Sequence, residues 1–237
     1  MLTTFKVRLS KKTQLTPSVF LFHFQLIDPQ EINFLAGQYL ILSVPQPSGN
    51  FIKRLYSIAS APTEKNSLEL VVEVVNDGAG TTYLKNLNIN DEVIFQGPAG
   101  AFTLKENDKN KIFLATGTGI APTRSMIRSQ ISDLRFKIFL YWGLKYFRDI
   151  YLFEELKNYA LRITNFNFKI CLSREENLDM IKDEDKKYFS LGHIDSQCPK
   201  TKDADYYLCG SPQIVESLQK CILQNGTPQE NIFSEKF

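Results

Sequence analysis

The pattern of apolar residues changes near residue 105, and this change constrains the fold of the chain strongly. Upstream, six strand-like runs rich in β-branched and aromatic residues are separated by turn formers such as "DPQEIN" and "PQPSGN". Short strands at this spacing predict a β-sandwich or barrel. Downstream, strand-like runs such as "KIFLAT" alternate with amphipathic runs such as "APTRSMIRSQIS". Strands that alternate with helices predict a parallel sheet with helices on its faces.

The charged segment "KENDKNK" marks the boundary between these two halves. We therefore predict two domains: an antiparallel β-barrel over residues 1–106, followed by an α/β domain with a parallel sheet over residues 107–237. The chain has 237 residues, of which 43% are hydrophobic, and this is enough to build a packed core in each half.

Composition and charge argue against several classes of protein. The net charge is only +2 and no long basic run occurs, so we expect no nucleic-acid partner. The start "MLTTFKVRLSKK" lacks the apolar core of a signal peptide, and no apolar run is long enough to cross a bilayer. We therefore expect a soluble cytoplasmic protein. The spacing of the cysteines and of the two histidines matches no metal or iron–sulfur site, so we expect no metal. The cysteines are Cys171, Cys198, Cys209 and Cys221.

The segment "KRLYSIAS" reads as a buried strand that nevertheless contains an arginine and a tyrosine two residues apart. Strand alternation places Arg54 and Tyr56 on one face, and Leu55 and Ser57 on the other. A guanidinium beside a phenol suits a ligand that carries both a phosphate and a flat ring.

The segment "GAGTTYL" places two glycines and two threonines at the start of a predicted helix. Backbone N–H groups and hydroxyls at such a start can bind an anion. The alternative is an ordinary helix start, in which Thr81 or Thr82 is the N-cap residue. The two interpretations are compatible.

The segment "TGTGIAP" follows a predicted strand and opens a helix. Gly117 and Gly119 allow a tight turn and the close approach of a ligand, and the helix start attracts phosphate, so this context favours a dinucleotide site over a plain turn. Pro122 replaces the third glycine of the usual fingerprint, and no acidic residue ends the next strand, where "LYWG" stands.

Three other candidates lie at predicted strand ends, and each has an ordinary structural alternative. Ser173 and Arg174 could hold a phosphate monoester, or they could form a solvated strand end. Cys209 and Gly210 lie on the ligand edge of the sheet, although the cysteine could simply be buried. Phe237, the last residue, could cover a flat ligand or belong to a frayed end.

Taken in order, these segments resemble the ferredoxin–NADP reductase family of flavoprotein reductases. The resemblance covers nearly the whole chain, and its strength is the fixed order of short motifs, each of which is weak alone. After the β-barrel the motifs are R-x-Y-S, G-x-x-T-x-x-L, G-P-x-G-x-F, T-G-T-G-I-A-P, C-G-x-P and a closing E-x-F.

The resemblance implies FAD as the cofactor and NADPH or NADH as the co-substrate, and it assigns matching residues to each. The flavin-binding set is Arg54, Tyr56, Ser57, Gly78, Gly80, Thr81, Thr82 and Phe237. The nicotinamide dinucleotide set is Thr116, Gly117, Thr118, Gly119, Pro122, Ser173, Arg174, Cys209 and Gly210. The residues expected to tune hydride transfer or relay a proton are Ser57, Cys209 and Glu235.

The implied reaction is hydride transfer from NAD(P)H, with NADPH favoured, to FAD and then electron transfer to an external acceptor. The acceptor would be ferredoxin, flavodoxin or an oxygenase component, because the cysteines supply no fused [2Fe–2S] domain. We expect a monomer. The alternatives are a free-flavin reductase, a flavin-holding subunit of a larger electron-transfer complex, and a phosphate-binding regulatory module without flavin.

Overall fold

The computed structural model describes residues 2–131, 133, 135–197 and 201–237, so Cys198 lies outside the described part. Its contacts divide the chain into two units. The first unit comprises residues 1–104 and 124–129, and the second comprises residues 105–123 and 130–237. The domain boundary expected after residue 106 stays a prediction.

The first unit is built on one antiparallel sheet of six strands. The strands are β1 (Thr3–Gln14), β2 (Val19–Asp28), β3 (Tyr39–Pro45), β4 (Phe51–Ser57), β5 (Ser67–Glu73) and β6 (Glu92–Ala99), with helix α1 (Ala79–Asn86) between β5 and β6 along the chain. Their order across the sheet is β4-β3-β6-β1-β2-β5, and all neighbours are antiparallel. The edge strands β4 and β5 also contact each other, so the sheet curls into a half-barrel. The predicted antiparallel β architecture is confirmed.

Strand alternation builds the core of this unit. Phe20, Phe22 and Phe24 on β2 all point inward and are at most 7% exposed, and Phe24 meets Phe95 of β6 edge to face at 5.5 Å. Burial of each such ring contributes about 2–3 kcal/mol to folding. The core therefore explains why the upstream half of the sequence repeats apolar residues at every second position.

Strand β4 differs from the buried strand that the sequence predicts. It begins earlier and ends at Ser57, and the side chains from Lys53 to Leu55 are exposed, because β4 is an edge strand. The predicted faces are nevertheless correct. Arg54 pairs with Leu42 and Tyr56 with Leu40, and both leucines belong to the core, so Arg54 and Tyr56 share the inner face.

The second unit is built on a parallel sheet, as predicted, and this sheet has six strands. The strands are β7 (Asn110–Thr116), β8 (Ile138–Leu144), β9 (Phe166–Leu172), β10 (Phe189–Leu191), β11 (Ala204–Gly210) and β12 (Ile232–Lys236). The helices are α2 (Ile120–Gln130), α3 (Phe153–Arg162) and α4 (Pro212–Gln224), although residues 124–129 of α2 group with the first unit. Among the described residues, no helix is both long enough and apolar enough to pass through a bilayer.

The order of the strands points to one edge of this sheet. The order is β10-β9-β8-β7-β11-β12, so the chain builds outward from β7 in one direction and then continues with β11 on the other side. Ligands of open parallel sheets bind outside the carboxyl ends of the strands at such a switch point. Here β7 ends at Thr116 and β11 ends at Gly210, so a ligand is expected at the two segments that follow these strands.

Helix α3 and the charged segment after β9 depart from the sequence prediction. The run "DIYLFEELKNYA" predicts a helix that begins at Asp149. In the structure Phe147–Asp149 forms a separate 3-10 turn, and Leu152 adopts a left-handed conformation before α3 begins. Residues 174–200 show no regular pattern, so the sequence predicts no elements there. Their described part contains β10 and the 3-10 turns Lys186–Tyr188 and Ile194–Gln197.

Candidate functional site

In the first unit, the start of α1 packs directly against β4. A Cβ atom at position 80 would lie 2.5 Å from the hydroxyl oxygen of Tyr56 and 2.8 Å from Cγ of Arg54, so only glycine permits this approach. The fold thus brings together two segments that the sequence singles out separately. A cation, a flat ring and a helix start meet at one place.

Arg54 and Tyr56 differ in burial and in charge. Arg54 is exposed, and its Nη1 donates a hydrogen bond of 2.8 Å to the Lys53 carbonyl. Tyr56 is half-buried, and this burial, opposed by the nearby Arg54 charge, raises the pKa of the phenol to about 12. The phenol is therefore neutral at physiological pH, whereas the guanidinium is charged. A neutral ring beside a fixed cation fits a ligand with a flat ring and a phosphate.

Helix α1 begins earlier than the sequence suggests. Its N-cap residue is Gly78, so the expectation that Thr81 or Thr82 is the N-cap is wrong. The Thr81 hydroxyl instead donates to the Gly78 carbonyl at 3.0 Å and accepts from the Val75 N–H at 3.3 Å. Because no described side chain caps α1, the N–H groups of its first turn remain suited to an anionic ligand. The residues present therefore fit a pyrophosphate.

Lys12 holds the opposite end of α1. Its Nζ donates to the Lys85 and Leu87 carbonyls, both at 2.7 Å, and a cation at this end of a helix is favourable. No sequence pattern near Lys12 on β1 indicates this contact, because α1 lies far away along the chain. It is a residue that sequence reasoning missed.

In the second unit, two glycines allow the ends of β7 and β11 to pack closely. A Cβ atom at position 119 would lie 2.3 Å from the Cys209 carbonyl oxygen. A Cβ atom at position 210, where φ is +156°, would lie 2.1 Å from Oγ1 of Thr116. The structure therefore places Thr116, Gly119, Cys209 and Gly210 together at the switch point.

The turn after β7 leads directly into α2. Gly117–Gly119 forms one 3-10 turn, and α2 follows at Ile120. Gly117 has a φ of +51°, a left-handed conformation that favours glycine. Pro122 lies in the first turn of α2, where a missing N–H costs no helical hydrogen bond, so replacement of the third glycine leaves the helix start intact.

Cys209 is a buried thiol at the end of β11. Burial, and then the charge of Glu235, raise the pKa of this thiol well above its ordinary value, so it stays protonated. Glu235 lies opposite Cys209 in the parallel register of β11 and β12. The Phe237 N–H donates to the Gly210 carbonyl at 3.3 Å, and the Phe237 side chain is 57% exposed. Ser57 belongs to the first unit, and the catalytic role expected for Ser57, Cys209 and Glu235 stays a prediction.

Arg174 follows β9, where a second arginine and a tyrosine that sequence reasoning missed join it. Nη1 of Arg174 lies 3.5 Å from the Tyr146 hydroxyl, and the guanidinium of Arg148 lies 4.6 Å from the centre of the Tyr146 ring. The Ser173 hydroxyl donates to the Leu144 carbonyl at 3.2 Å. Tyr146 and Arg148 come just after β8, so the rule that ligands lie at the carboxyl ends of parallel strands could have indicated them.

Among the residues that the structure describes, no group of three or more His, Cys, Asp or Glu side chains could hold a metal ion. The described cysteines Cys171, Cys209 and Cys221 are free thiols.

Comparisons with known proteins find the same two kinds of domain. The family described as "Oxidoreductase FAD-binding domain" matches residues 6–104, and the family described as "Oxidoreductase NAD-binding domain" matches residues 113–220. Ferredoxin–NADP reductase B of Sorangium cellulosum is 35% identical over 72% of this chain and 70% of its own length. The flavodoxin/ferredoxin–NADP reductase of Buchnera aphidicola is 32% identical over 84% of this chain and 83% of its own length.

Solved structures and longer relatives extend this comparison. A ferredoxin NADP⁺ reductase from Neisseria gonorrhoeae, with bound FAD and NADP, has the same fold with a TM-score of 0.82 and 22% identity, covering 99% of this chain and 98% of that one. The anthranilate 1,2-dioxygenase electron transfer component of Acinetobacter baylyi is 27% identical over 88% of this chain. This chain spans only 59% of the length of that relative.

Proposed function

Because the chain belongs to the ferredoxin–NADP reductase family of FAD- and NAD(P)-binding oxidoreductases, we propose that it is an NADPH-dependent flavoprotein reductase with an external electron acceptor. The close approach of Gly80 to Arg54 and Tyr56 is the observation that carries the proposal, because it brings a guanidinium, a phenol and a helix start together, and these groups suit a pyrophosphate and a flat ring. FAD, when bound, accepts a hydride from nicotinamide and releases electrons singly or in pairs.

The residues of the first unit bind and orient the flavin in this proposal. Arg54 pairs with the pyrophosphate, and the first turn of α1, with Gly78, Gly80 and Thr81, offers it backbone N–H groups. Tyr56 presents a neutral ring for stacking, because the pKa of its phenol is raised to about 12. Ser57 follows on the same strand, and we assign its hydroxyl to the flavin ring.

The residues of the second unit bind the nicotinamide dinucleotide. The pyrophosphate lies at the Gly117–Gly119 turn, which opens α2 at the switch point of the sheet. Cys209 and Gly210 line the nicotinamide pocket at the end of β11. Cys209 donates only as a neutral thiol, because its pKa is raised by burial.

The preference for NADPH rests on the cations that follow β8 and β9. Arg174 and Arg148 both lie next to the ring of Tyr146, and together they suit a 2′-phosphate and the adenine that carries it. The residue after β8 is Lys145, where an NAD-specific site often has an acidic residue for the ribose hydroxyl. Charge and position at this edge therefore favour the phosphorylated dinucleotide.

The acceptor in this proposal is a small acidic electron carrier, ferredoxin or flavodoxin, or an oxygenase component. Lys53 and Arg54 are exposed cations on β4, and Lys85 is an exposed cation in the last turn of α1. On β4, the side chains of Phe51 and Leu55 are 62% and 59% exposed. Exposed apolar side chains among cations suit an acidic protein that docks by charge and by contact.

The test uses the purified full chain, reconstituted with FAD and then desalted. Its visible spectrum is recorded, and ferricyanide reduction is followed with NADPH and NADH side by side for the wild type, Arg174→Ala and the control Arg162→Ala. Arg162 is an exposed arginine in the last turn of α3. We expect a yellow protein that prefers NADPH, and we expect Arg174→Ala alone to reduce that preference about tenfold or more.

Two other outcomes would change the proposal. A yellow protein that favours NADH and is indifferent to Arg174→Ala would keep the flavin and remove the 2′-phosphate site. A colourless protein without turnover would overturn the reductase assignment and leave a phosphate-binding module. A protein that releases FAD during turnover would be a free-flavin reductase, and one that reduces no acceptor alone would be a subunit of a larger complex.

A further inference from the structure

The carbonyl of Gly117 is held by two aromatic side chains as well as by the backbone. Nε1 of Trp142 donates to it at 3.0 Å, and the hydroxyl of Tyr151 donates to it at 3.1 Å. The Ile120 N–H also donates to this carbonyl as part of the 3-10 turn. Three donors therefore bond the Gly117 carbonyl oxygen: the Ile120 N–H that follows the turn after β7, Trp142 of β8, and Tyr151 of the segment before α3.

Both aromatic donors are fixed in the interior of the second unit. Trp142 is 0% exposed and Tyr151 is 6% exposed, and their rings meet edge to face with centroids 4.7 Å apart. Buried N–H and O–H groups need partners, and both of these groups use Gly117. The two buried side chains therefore fix the direction of the Gly117 carbonyl. Gly117 itself is in a left-handed conformation, with a φ of +51°.

The geometry of the peptide bond between Gly117 and Thr118 fixes the direction of the Thr118 N–H relative to the Gly117 carbonyl. The Gly117–Thr118 peptide is not among the cis bonds of the chain, so the Thr118 N–H points opposite to the Gly117 carbonyl. Since the carbonyl points toward the buried rings, the N–H points away from them. A Cβ atom built at Gly117 has no heavy atom of the described residues within 4 Å, apart from the glycine itself, its chain neighbours and the backbone of its own turn, so the turn borders open space there.

We propose that Trp142 and Tyr151 are positioning residues for dinucleotide binding. By fixing the Gly117 carbonyl inward, they hold the Thr118 N–H outward for the pyrophosphate, at the start of the turn that leads into α2. This inference rests on the proposed function, because it deepens the role of the same turn. It adds two residues that touch neither phosphate nor nicotinamide and act through the backbone.

The test compares Tyr151→Phe with the wild type as full-length, FAD-loaded proteins. NADP⁺ and 2′-AMP are titrated, and binding is read from the flavin difference spectrum and from the fluorescence of Trp142, the single tryptophan of the chain. 2′-AMP carries the 2′-phosphate but no pyrophosphate. The expected result is a Kd for NADP⁺ that rises about fivefold to tenfold, while the Kd for 2′-AMP changes less than twofold.

Matched variants separate positioning from general damage. Tyr159→Phe removes the hydroxyl of a tyrosine within α3, which bonds Glu155 at 3.3 Å, and this variant should bind NADP⁺ as the wild type does. Trp142→Phe removes the second donor and should show the same selective loss in the flavin difference spectrum. If the protein instead rearranges around the missing indole ring, the affinities for NADP⁺ and for 2′-AMP should fall by the same factor.

The outcomes are distinguishable. If Tyr151→Phe binds NADP⁺ like the wild type, or loses NADP⁺ and 2′-AMP affinity by the same factor, the positioning role is wrong and the proposed function stands. If the wild type itself binds no NADP⁺, the proposed function fails, and the positioning role fails with it.

Discussion

At position 80, helix propensity favours alanine, whereas the close packing of α1 against β4 favours glycine. Alanine is a better helix former than glycine by about 1 kcal/mol, so Gly80→Ala should stabilise α1 if nothing else mattered. A Cβ atom there, however, would meet the Tyr56 hydroxyl at 2.5 Å and Arg54 Cγ at 2.8 Å. Glycine at this position therefore serves the approach of α1 to β4.

We expect Gly80→Ala to weaken FAD binding about tenfold or more, because the clash displaces the arginine and the tyrosine assigned to the flavin. The measurement is the Kd for FAD, from quenching of flavin fluorescence as the apoprotein is added. Asn86→Ala, at the other end of α1, also raises helix propensity, by at most about 0.7 kcal/mol, without the clash, and should bind FAD as the wild type does. Equal Kd values for both variants would argue against the site.

Glu69 is a buried carboxylate that contacts three cationic or hydrogen-bond-donating side chains of the first unit. His23 Nδ1 lies 3.0 Å from it, Arg128 Nη1 lies 2.7 Å from it, and Arg124 Nη1 bonds the same carboxylate. Burial alone would raise the pKa of Glu69, but the hydrogen bond from His23 and the two arginines outweigh it and lower the pKa to about 2. Because the folded pKa is depressed, Glu69 stabilises the fold above its unfolded pKa, and this stabilisation is lost as the pH falls through about 2.

We expect Glu69→Gln to lower the free energy of unfolding at pH 7 by about 3 kcal/mol. The difference between wild type and variant should shrink steadily between pH 4.5 and pH 2, the window set by the two pKa values of Glu69. Urea unfolding at several pH values measures it. Glu73→Gln, at the exposed end of the same strand, is the control. A wild-type advantage that is constant from pH 7 to pH 2 would contradict the assigned pKa.

At the scale of elements, α1 is held from both ends. It has eight residues, and a helix this short is unstable alone in water, so its position depends on tertiary contacts. Its buried Leu84 packs into the core, while Lys12 bonds the carbonyls of Lys85 and Leu87 at its end. The N-terminal turn, which we assign to the flavin in our proposal, is therefore oriented in part by a lysine at the opposite end of α1.

We expect Lys12→Met to weaken FAD binding about fivefold, because two carbonyls at the end of α1 lose a charged donor. Lys12→Arg should restore most of the affinity, since the arginine keeps the charge and the donors. Lys11→Met, one residue earlier and exposed, should leave the Kd for FAD unchanged. The same loss in Lys11→Met would mean that net charge, rather than the contact with α1, determines the affinity.

The sequence predicts these elements well where a periodic pattern is long, and poorly where tertiary context decides. Alternation in β2 and β3 identifies their buried faces, but nothing local in β4 shows that it is an edge strand, and so its burial is predicted wrongly. The three-residue β10 is too short to leave a pattern. The same limit applies to the site: glycines reveal their turns locally, whereas Trp142 acts through a contact with Gly117, 25 residues away.

At the scale of the whole molecule, each unit has its own core cluster. The cluster of the first unit runs from Phe5 to Phe95, and a cluster of the second unit runs from Ile112 to Ile232. The flavin site proposed here uses residues of the first unit, and the site for the 2′-phosphate uses residues of the second. Substitutions in the two sites share no described partner, so their free-energy changes should add.

The double variant Gly80→Ala, Arg174→Ala tests this independence. Its Kd for FAD should equal that of Gly80→Ala, and its NADPH-to-NADH preference, measured at saturating FAD, should equal that of Arg174→Ala, each within about twofold. The physical reason is that the first substitution disturbs only the contact of α1 with β4, while the second removes a guanidinium beside Tyr146. A preference that shifts with Gly80→Ala alone would show that occupancy of the flavin site alters dinucleotide selection. In that case ligand binding in the two units would be coupled, and the dinucleotide specificity of the second unit could no longer be assigned to Arg174 and its neighbours alone.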